Sequence, residues 1–317
     1  MEEKKYNLIL SIGPPRTGTT YLFDLFYNSP PHIKEKIIPA QSFKKLDKSR
    51  ERMRTGKHSS EKFFTTKMKF KEDYVVSGLE SFATVLHAKC SCDKNSNYCN
   101  CVEDIAKYYF QRFTTQQPAE DSNFFISIPY SIDTLLNKII LETEYNSDTE
   151  TWEKAYDYAV QQMILLLGTF SKLFKNVTVI YGVRDKVEVV SSLLNLMTMY
   201  DSTDDWKYII ESYRKHLEKL NSDQEFFQHL EEQVSKTIAY SYRVIDSITE
   251  CCTDIDWHGL DYNRLNDSEY MYNVLSNIFE SEEQLKSNMA FGKKSFASLR
   301  KWDYELNPTT IEFLTSI

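Results

Sequence analysis

The segment from Tyr6 to Thr20 reads YNLILSIGPPRTGTT, and it decides the fold. Its apolar first half, residues 6–12, predicts a buried strand, and apolar side chains recur at helical spacing over residues 21–26. Between them, residues 13–20 have the spacing G-x-x-x-x-G-T-T. A glycine-rich turn between a strand and a helix can surround an anion with backbone N–H groups. The segment therefore predicts an anion-binding loop after the first strand of an α/β sheet.

The loop differs from those that bind nucleoside triphosphates. A Walker A loop reads G-x-x-x-x-G-K-[ST], whereas Thr19 stands at the lysine position here. That lysine serves the β- and γ-phosphates, so its absence disfavours a P-loop kinase or NTPase. Arg16 instead supplies a cation inside the loop. The pattern favours a simpler terminal anion, with a kinase or a non-catalytic nucleotide-binding protein as the alternatives.

The remaining chain alternates β-prone and helical segments, which is typical of a parallel sheet covered on both faces. We predict a single domain over residues 1–317, a three-layer α/β/α fold with a central parallel sheet, a P-loop-like nucleotide-binding core and a helical elaboration. Residues 30–75 are expected to form loop and short helices. Strands are predicted at 74–77, 124–129, 177–181 and 253–260, and helices at 151–174, 186–199, within 204–250, and from a cap at Asp267 to Phe279.

Composition and charge exclude several classes of protein. The 317 residues are 41% hydrophobic, which supplies a packed core, and no apolar run approaches the roughly 20 residues of a membrane helix. The net charge of -8 argues against a nucleic-acid partner. Residues 1–71 are nevertheless basic, either as a solvated face or as a rim that attracts an anionic ligand. Because no secretory leader pattern is visible, we expect a cytoplasmic protein.

Two motifs resemble those of sulfotransferases that use 3'-phosphoadenosine 5'-phosphosulfate (PAPS). Residues 15–22, PRTGTTYL, resemble their 5'-phosphosulfate loop, P-[KR]-[ST]-G-[ST]-[TS]-x-L. Residues 179–185, VIYGVRD, with Ser192 eight positions after Arg184, resemble their 3'-phosphate element. Lys186 departs from the family's usual proline. Weaker similarities lie at residues 260–265 and 295–306.

The resemblance implies a set of ligands for PAPS. Arg16 would neutralise the departing 5'-phosphate as a catalytic residue, and Arg184 with Ser192 would bind the 3'-phosphate. From the residues alone, the alternative is that Arg184 is a strand-end side chain paired with Asp185 or another carboxylate. No metal is required. The expected cofactor-binding residues are Pro15, Arg16, Thr17, Gly18, Thr19, Thr20, Arg184, Ser192 and, in the closing segment, Arg300.

An acceptor hydroxyl also needs a general base, and the sequence leaves its identity open. We favour Glu80, which follows a β-prone segment, over Glu35 and His32. Gln41 stands where some branches of the family carry a carboxylate. The acceptor is expected to be a small molecule or a glycan, and the basic residues of 34–71 favour an anionic one.

Four cysteines form a compact cluster with the spacing C-x-C-x6-C-x-C. Four thiolates at such a spacing could bind zinc, form disulfides across a hairpin or remain reduced. We place this cluster in an insert covering about residues 85–120. A further pair, Cys251 and Cys252, is expected to pack at a helix end. The cluster comprises Cys90, Cys92, Cys99 and Cys101.

Overall fold

The chain forms a parallel sheet with helices on both faces. The computed structural model describes residues 5–14, 16–18, 21–22, 25, 37–39, 101–114, 120–121, 123–128, 131–142, 148–200, 223–276, 279, 281–287, 289 and 305–317. The strands are β1 (Asn7–Ile12), β2 (Ile37–Pro39), β3 (Asn123–Ser127), β4 (Asn176–Val183) and β5 (Asp256–Asp261). The helices are α1 (Cys101–Thr114), α2 (Ser131–Glu142), α3 (Thr149–Leu173), α4 (Lys186–Tyr200), α5 (Asp223–Cys251), α6 (Ser268–Leu275) and α7 (Pro308–Ser316).

The five strands lie in the order β2-β3-β1-β4-β5, and every neighbouring pair is parallel. β1 is central and pairs with β3 on one side and with β4 on the other. Because all strands run in one direction, their carboxyl ends meet at a single edge of the sheet. The segments that follow β1 and β4 therefore emerge side by side.

Alternation along β1 builds the layers on the two faces of the sheet. Leu8, Leu10 and Ile12 pack with α1, α2, α3 and α5. Ile9 packs on the opposite face with α6 and with Tyr21, Leu22 and Leu25. Side chains that alternate across a strand produce this division. The predicted three-layer α/β/α fold with a central parallel sheet is confirmed. None of the helices in the described part of the chain is long and apolar enough to cross a membrane.

The predicted boundaries agree closely for the longest patterns and less well for short ones. The predicted helix at 151–174 is α3, and Asp267 caps α6 by accepting a hydrogen bond from the backbone N–H of Tyr270 at 3.0 Å. The helix after Asp267 ends at Leu275 rather than reaching residue 279. The expectation of loop and short helices for residues 30–75 is wrong at 37–39, which form β2. The strand predicted at 74–77 lies outside the described residues.

Candidate functional site

The order of the strands positions a crevice between the carboxyl ends of β1 and β4. From β1 the chain proceeds to β2 and β3 on one side, while from β4 it proceeds to β5 on the other. In open α/β sheets, ligands bind where neighbouring strands lead away in opposite directions. The glycine-rich loop follows β1 at this point, and the turn at Arg184 follows β4.

The loop after β1 contains several residues in the left-handed region of backbone conformation. Gly13 has φ 121°, Gly18 has φ 94°, and Arg16 adopts φ 68° although it is not glycine. Such a conformation costs a non-glycine residue about 1–2 kcal/mol. The Thr17 hydroxyl stabilises the turn by donating to the carbonyl oxygen of Pro14 at 2.8 Å. The helix begins immediately, since the N–H of Leu22 bonds to the carbonyl oxygen of Gly18 at 3.0 Å.

Gly182 lets the loop pack directly on β4. A Cβ atom at position 182 would lie against the carbonyl oxygen of Thr17 and 2.6 Å from its Cβ and Oγ1 atoms. Thr17 itself is 1% exposed, so it is enclosed at this contact. Glycine at 182 is thus required by the close approach of two backbones. The requirement for glycine at position 182 is not visible in the local sequence, because Thr17 is distant along the chain.

Arg16 reaches across the crevice to α4. Its Nε atom donates to the hydroxyl oxygen of Ser192 at 3.1 Å, although 176 positions separate the two residues. Ser192 is buried on the first half of α4, which holds its hydroxyl in place. The structure therefore brings together two residues that the family resemblance assigns to the 5'-phosphate and to the 3'-phosphate of one ligand.

Arg184 lies beside the loop and contacts it directly. Its Nη1 atom donates to the main-chain carbonyl oxygen of Arg16 at 3.0 Å, and its Nε atom donates to Glu188 at 3.1 Å. The guanidinium carbon lies 4.0 Å from the ring centroid of Tyr262, which is a cation–π distance. The Arg184 side chain is only 14% exposed. The pairing with Glu188 agrees with the alternative in which Arg184 is a strand-end residue paired with a carboxylate. That alternative does not account for the hydrogen bond from Arg184 to the loop.

Tyr262 is a site residue whose contacts sequence analysis did not predict. It begins the short 3₁₀ turn after β5, and its ring lies next to Gly18 as well as Arg184. A Cβ atom at Gly18 would lie 3.6 Å from the Tyr262 ring and 2.6 Å from Leu265. A tyrosine directly after a predicted strand is visible in the sequence. Its contacts with Gly18 and Arg184 are not, because those residues are distant along the chain.

A buried carboxyl group lies near the same edge of the sheet. Asp133, in the first turn of α2 after β3, accepts a hydrogen bond from the Ser241 hydroxyl at 2.6 Å. Burial raises the pKa of Asp133 to about 7, and the bond from Ser241 opposes part of that rise. This carboxyl group therefore titrates near neutral pH.

Several residues predicted for the site fall outside the described part of the chain. They include the general-base candidates, three of the eight loop residues and most of the cysteine cluster. Cys101 begins α1, Cys251 is exposed at the end of α5, and Cys252 is buried. Among the described residues, no group of three or more potential metal ligands occurs. The predicted residues outside the description are Pro15, Thr19, Thr20, His32, Glu35, Gln41, Glu80, Cys90, Cys92, Cys99 and Arg300.

Comparison with known proteins finds similarity to two solved structures. The sulfotransferase STF9 from Mycobacterium avium is 14% identical, with a TM-score of 0.44 over 99% of this chain and 76% of the other. The sulfotransferase domain of the olefin synthase from Synechococcus PCC 7002 is 13% identical, with a TM-score of 0.37 over 100% of this chain and 96% of the other. No protein-family model and no curated protein matches the sequence. Both similar structures are named as sulfotransferases.

Proposed function

We propose that this protein is a PAPS-dependent sulfotransferase that transfers a sulfuryl group to a hydroxyl of a small molecule or glycan. The observation that carries the proposal is the chain of contacts from Arg184 to the Arg16 carbonyl oxygen and from the Arg16 side chain to Ser192. The motifs that resemble the 5'-phosphosulfate loop and the 3'-phosphate element thereby meet in one crevice. A ligand with phosphates at both the 5' and the 3' position of its ribose fits this pairing better than a ligand with one phosphate.

The local chemistry fits an anionic donor. Gly13 and Gly18 adopt left-handed conformations that turn the backbone around the loop, and the helix that starts beside it adds partial positive charge. Arg16 and Arg184 bring two guanidinium groups to the same place, and each planar group can bond two phosphate oxygens. Both therefore suit binding of phosphate better than of a neutral ligand.

Each residue has a role in this proposal. Arg16, with Thr17 and Gly18, would hold the 5'-phosphosulfate, and Pro15, Thr19 and Thr20 would complete the loop. Arg184 and Ser192 would hold the 3'-phosphate, and Arg300 would cover the donor. Bound PAPS supplies the activated sulfuryl group. No metal is part of this scheme.

Transfer of a sulfuryl group requires alignment and stabilisation of charge, as phosphoryl transfer does. Arg16 would stabilise negative charge on the 5'-phosphate as the bond to sulfur breaks. Glu80 would accept the proton of the acceptor hydroxyl. The basic residues of 34–71 would attract an anionic acceptor, such as an acidic glycan.

Calorimetric binding of 3'-phosphoadenosine 5'-phosphate (PAP) tests the proposal. We expect PAP to bind more tightly than ATP or 5'-AMP, and Arg184→Ala or Ser192→Ala to weaken PAP without affecting 5'-AMP. Lys175→Ala is the matched control, because Lys175 precedes β4 at the opposite edge of the sheet and pairs with Asp121. A preference for ATP would favour a kinase or NTPase instead, and absence of PAP binding would overturn the proposal.

A further inference from the structure

Tyr242 holds the backbone of Arg184 through a single hydroxyl group. This hydroxyl accepts a hydrogen bond from the N–H of Arg184 at 3.2 Å and donates one to its carbonyl oxygen at 2.8 Å. Arg184 lies just past Val183, the last β4 residue that pairs with β5. The backbone N–H and carbonyl groups of Arg184 therefore have no partner residue in β5. The hydroxyl group of Tyr242, on α5, bonds to both of them instead.

The Tyr242 hydroxyl is suited to this double role. A tyrosine hydroxyl is protonated at neutral pH and can donate, and burial raises the pKa of Tyr242 further, to about 12. The ring packs with the apolar side chains between α4 and α5. This packing fixes the position of the ring, and therefore of the hydroxyl group.

Neighbouring residues fix α5 itself at this level. Ser241 bonds to Asp133 on α2 at 2.6 Å, and Arg243 bonds to both oxygens of Glu153 on α3 at 2.8 and 3.2 Å. Three consecutive residues therefore connect α5 to α2, to the turn after β4 and to α3. A helix attached to three elements offers a fixed point from which Tyr242 can hold Arg184.

We propose that Tyr242 is a positioning residue that orients Arg184 for the 3'-phosphate of the donor. This inference rests on the proposed function. The fixed backbone sets the direction from which the guanidinium group meets the Arg16 carbonyl oxygen and the Tyr262 ring. Without the hydroxyl, the Arg184 turn relaxes and its side chain reaches the same place less often.

Tyr242→Phe tests the role because it removes the hydroxyl and keeps the ring. The matched control is Tyr240→Phe on the same helix, since the Tyr240 hydroxyl donates to Glu153 at 2.8 Å and not to the Arg184 turn. We expect Tyr242→Phe to weaken PAP binding about tenfold, in line with the loss of two hydrogen bonds. Binding of 5'-AMP, which lacks the 3'-phosphate, should change less than about twofold, and Tyr240→Phe should change neither.

A thermodynamic cycle with Arg184→Ala shows whether Tyr242 acts through Arg184. If it does, adding Tyr242→Phe to Arg184→Ala causes no further loss of PAP affinity. Equal PAP affinity for Tyr242→Phe and Tyr240→Phe, or a full additional loss in the double variant, would overturn the inference while leaving the donor site intact.

A second measurement does not depend on the ligand. The NMR signal of the Arg184 Nε–H group, assigned by its loss in Arg184→Lys, should shift or broaden in Tyr242→Phe and stay unchanged in Tyr240→Phe. An unchanged signal would overturn the positioning role. Failure of wild-type protein to bind PAP would instead overturn the proposed function, and the NMR result would still decide whether Tyr242 positions Arg184.

Discussion

Thr17 packs against Gly182 with its carbonyl oxygen and its side chain, so the loop after β1 and the end of β4 touch where Gly182 has no side chain. We expect Gly182→Ala to push the loop away from β4, since the new Cβ would meet the backbone carbonyl of Thr17. PAP binding should weaken by about tenfold or more, with lower thermal stability, because backbone atoms cannot yield as a flexible side chain can. Calorimetry and thermal unfolding measure the two effects.

Gly168→Ala is the matched control for that substitution. Gly168 lies within α3, and a Cβ atom there would have no atom within 4 Å apart from the neighbouring backbone of its own helix. Alanine favours the helix over glycine by about 1 kcal/mol, so Gly168→Ala should raise stability and leave PAP affinity unchanged. Equal effects of the two substitutions would contradict the importance of the contact at Gly182.

Arg16 is expected to be essential for turnover. Arg16→Ala removes the guanidinium group that contacts Ser192 and that would stabilise charge on the 5'-phosphate. Sulfuryl transfer should fall by about a hundredfold to a thousandfold, the scale on which a preorganised electrostatic donor contributes. The measurement is transfer of radiolabelled sulfate from PAPS to a panel of hydroxyl acceptors, with Lys175→Ala as control. Unchanged turnover in Arg16→Ala would refute the role assigned to this residue.

Tyr262 is expected to stabilise the position of Arg184 by a cation–π interaction in addition to packing. Tyr262→Leu removes the aromatic face that lies 4.0 Å from the guanidinium carbon, whereas Tyr262→Phe keeps it. A cation–π contact contributes about 0.5–2 kcal/mol, so Tyr262→Leu should weaken PAP binding about two- to thirtyfold more than Tyr262→Phe does. Equal PAP affinities for the two variants, measured by calorimetry, would exclude a contribution from the ring face.

Asp133 should make the stability of the protein depend on pH. Its pKa is raised to about 7 in the folded state, whereas an unfolded aspartate titrates near 4. The folded protein binds this proton more tightly, so the stabilisation is complete below about pH 4 and is lost as pH rises through about 7. The difference amounts to at most about 4 kcal/mol.

Asp133→Asn tests this dependence because the amide stays neutral and its oxygen can still accept from Ser241. Relative to wild type, Asp133→Asn should gain free energy of unfolding between about pH 5 and pH 8, as chemical denaturation measures. Asp104→Asn, at an exposed position of α1, serves as the control. Parallel pH profiles for wild type and Asp133→Asn would show that Asp133 titrates as an ordinary carboxylate.

The sequence predicts best those features that depend on neighbouring residues. The apolar runs of β1 and β4 and the period of α3 follow from local patterns, and so does the loop between residues 13 and 20. β2 has only three residues, too few for a period to show. α1 is absent from the sequence-based predictions although Val102, Ile105 and Tyr109 follow a helical spacing and are buried, and it begins at the last cysteine of the cluster.

The candidate site is less predictable because its contacts join distant segments. Arg16, Arg184 and Ser192 stand out as residue types in motifs. The roles of Gly182, Tyr242 and Tyr262 depend on which elements meet in three dimensions. A tyrosine within a long amphipathic helix resembles any core tyrosine until the turn opposite its hydroxyl is known. These contacts follow from the order of the strands rather than from local sequence.

The triple attachment of α5 has a consequence for how the protein opens. Releasing Arg184 requires its turn to lose the hydrogen bonds to Tyr242, and Tyr242 is carried by the helix that Ser241 and Arg243 attach to α2 and α3. Slow amide exchange of the Arg184 turn should therefore share the free energy of opening of α5. The Arg184 turn and helices α2, α3 and α5 are thus expected to open together. Ligand binding at Arg184 should therefore stabilise these helices as well as the loop.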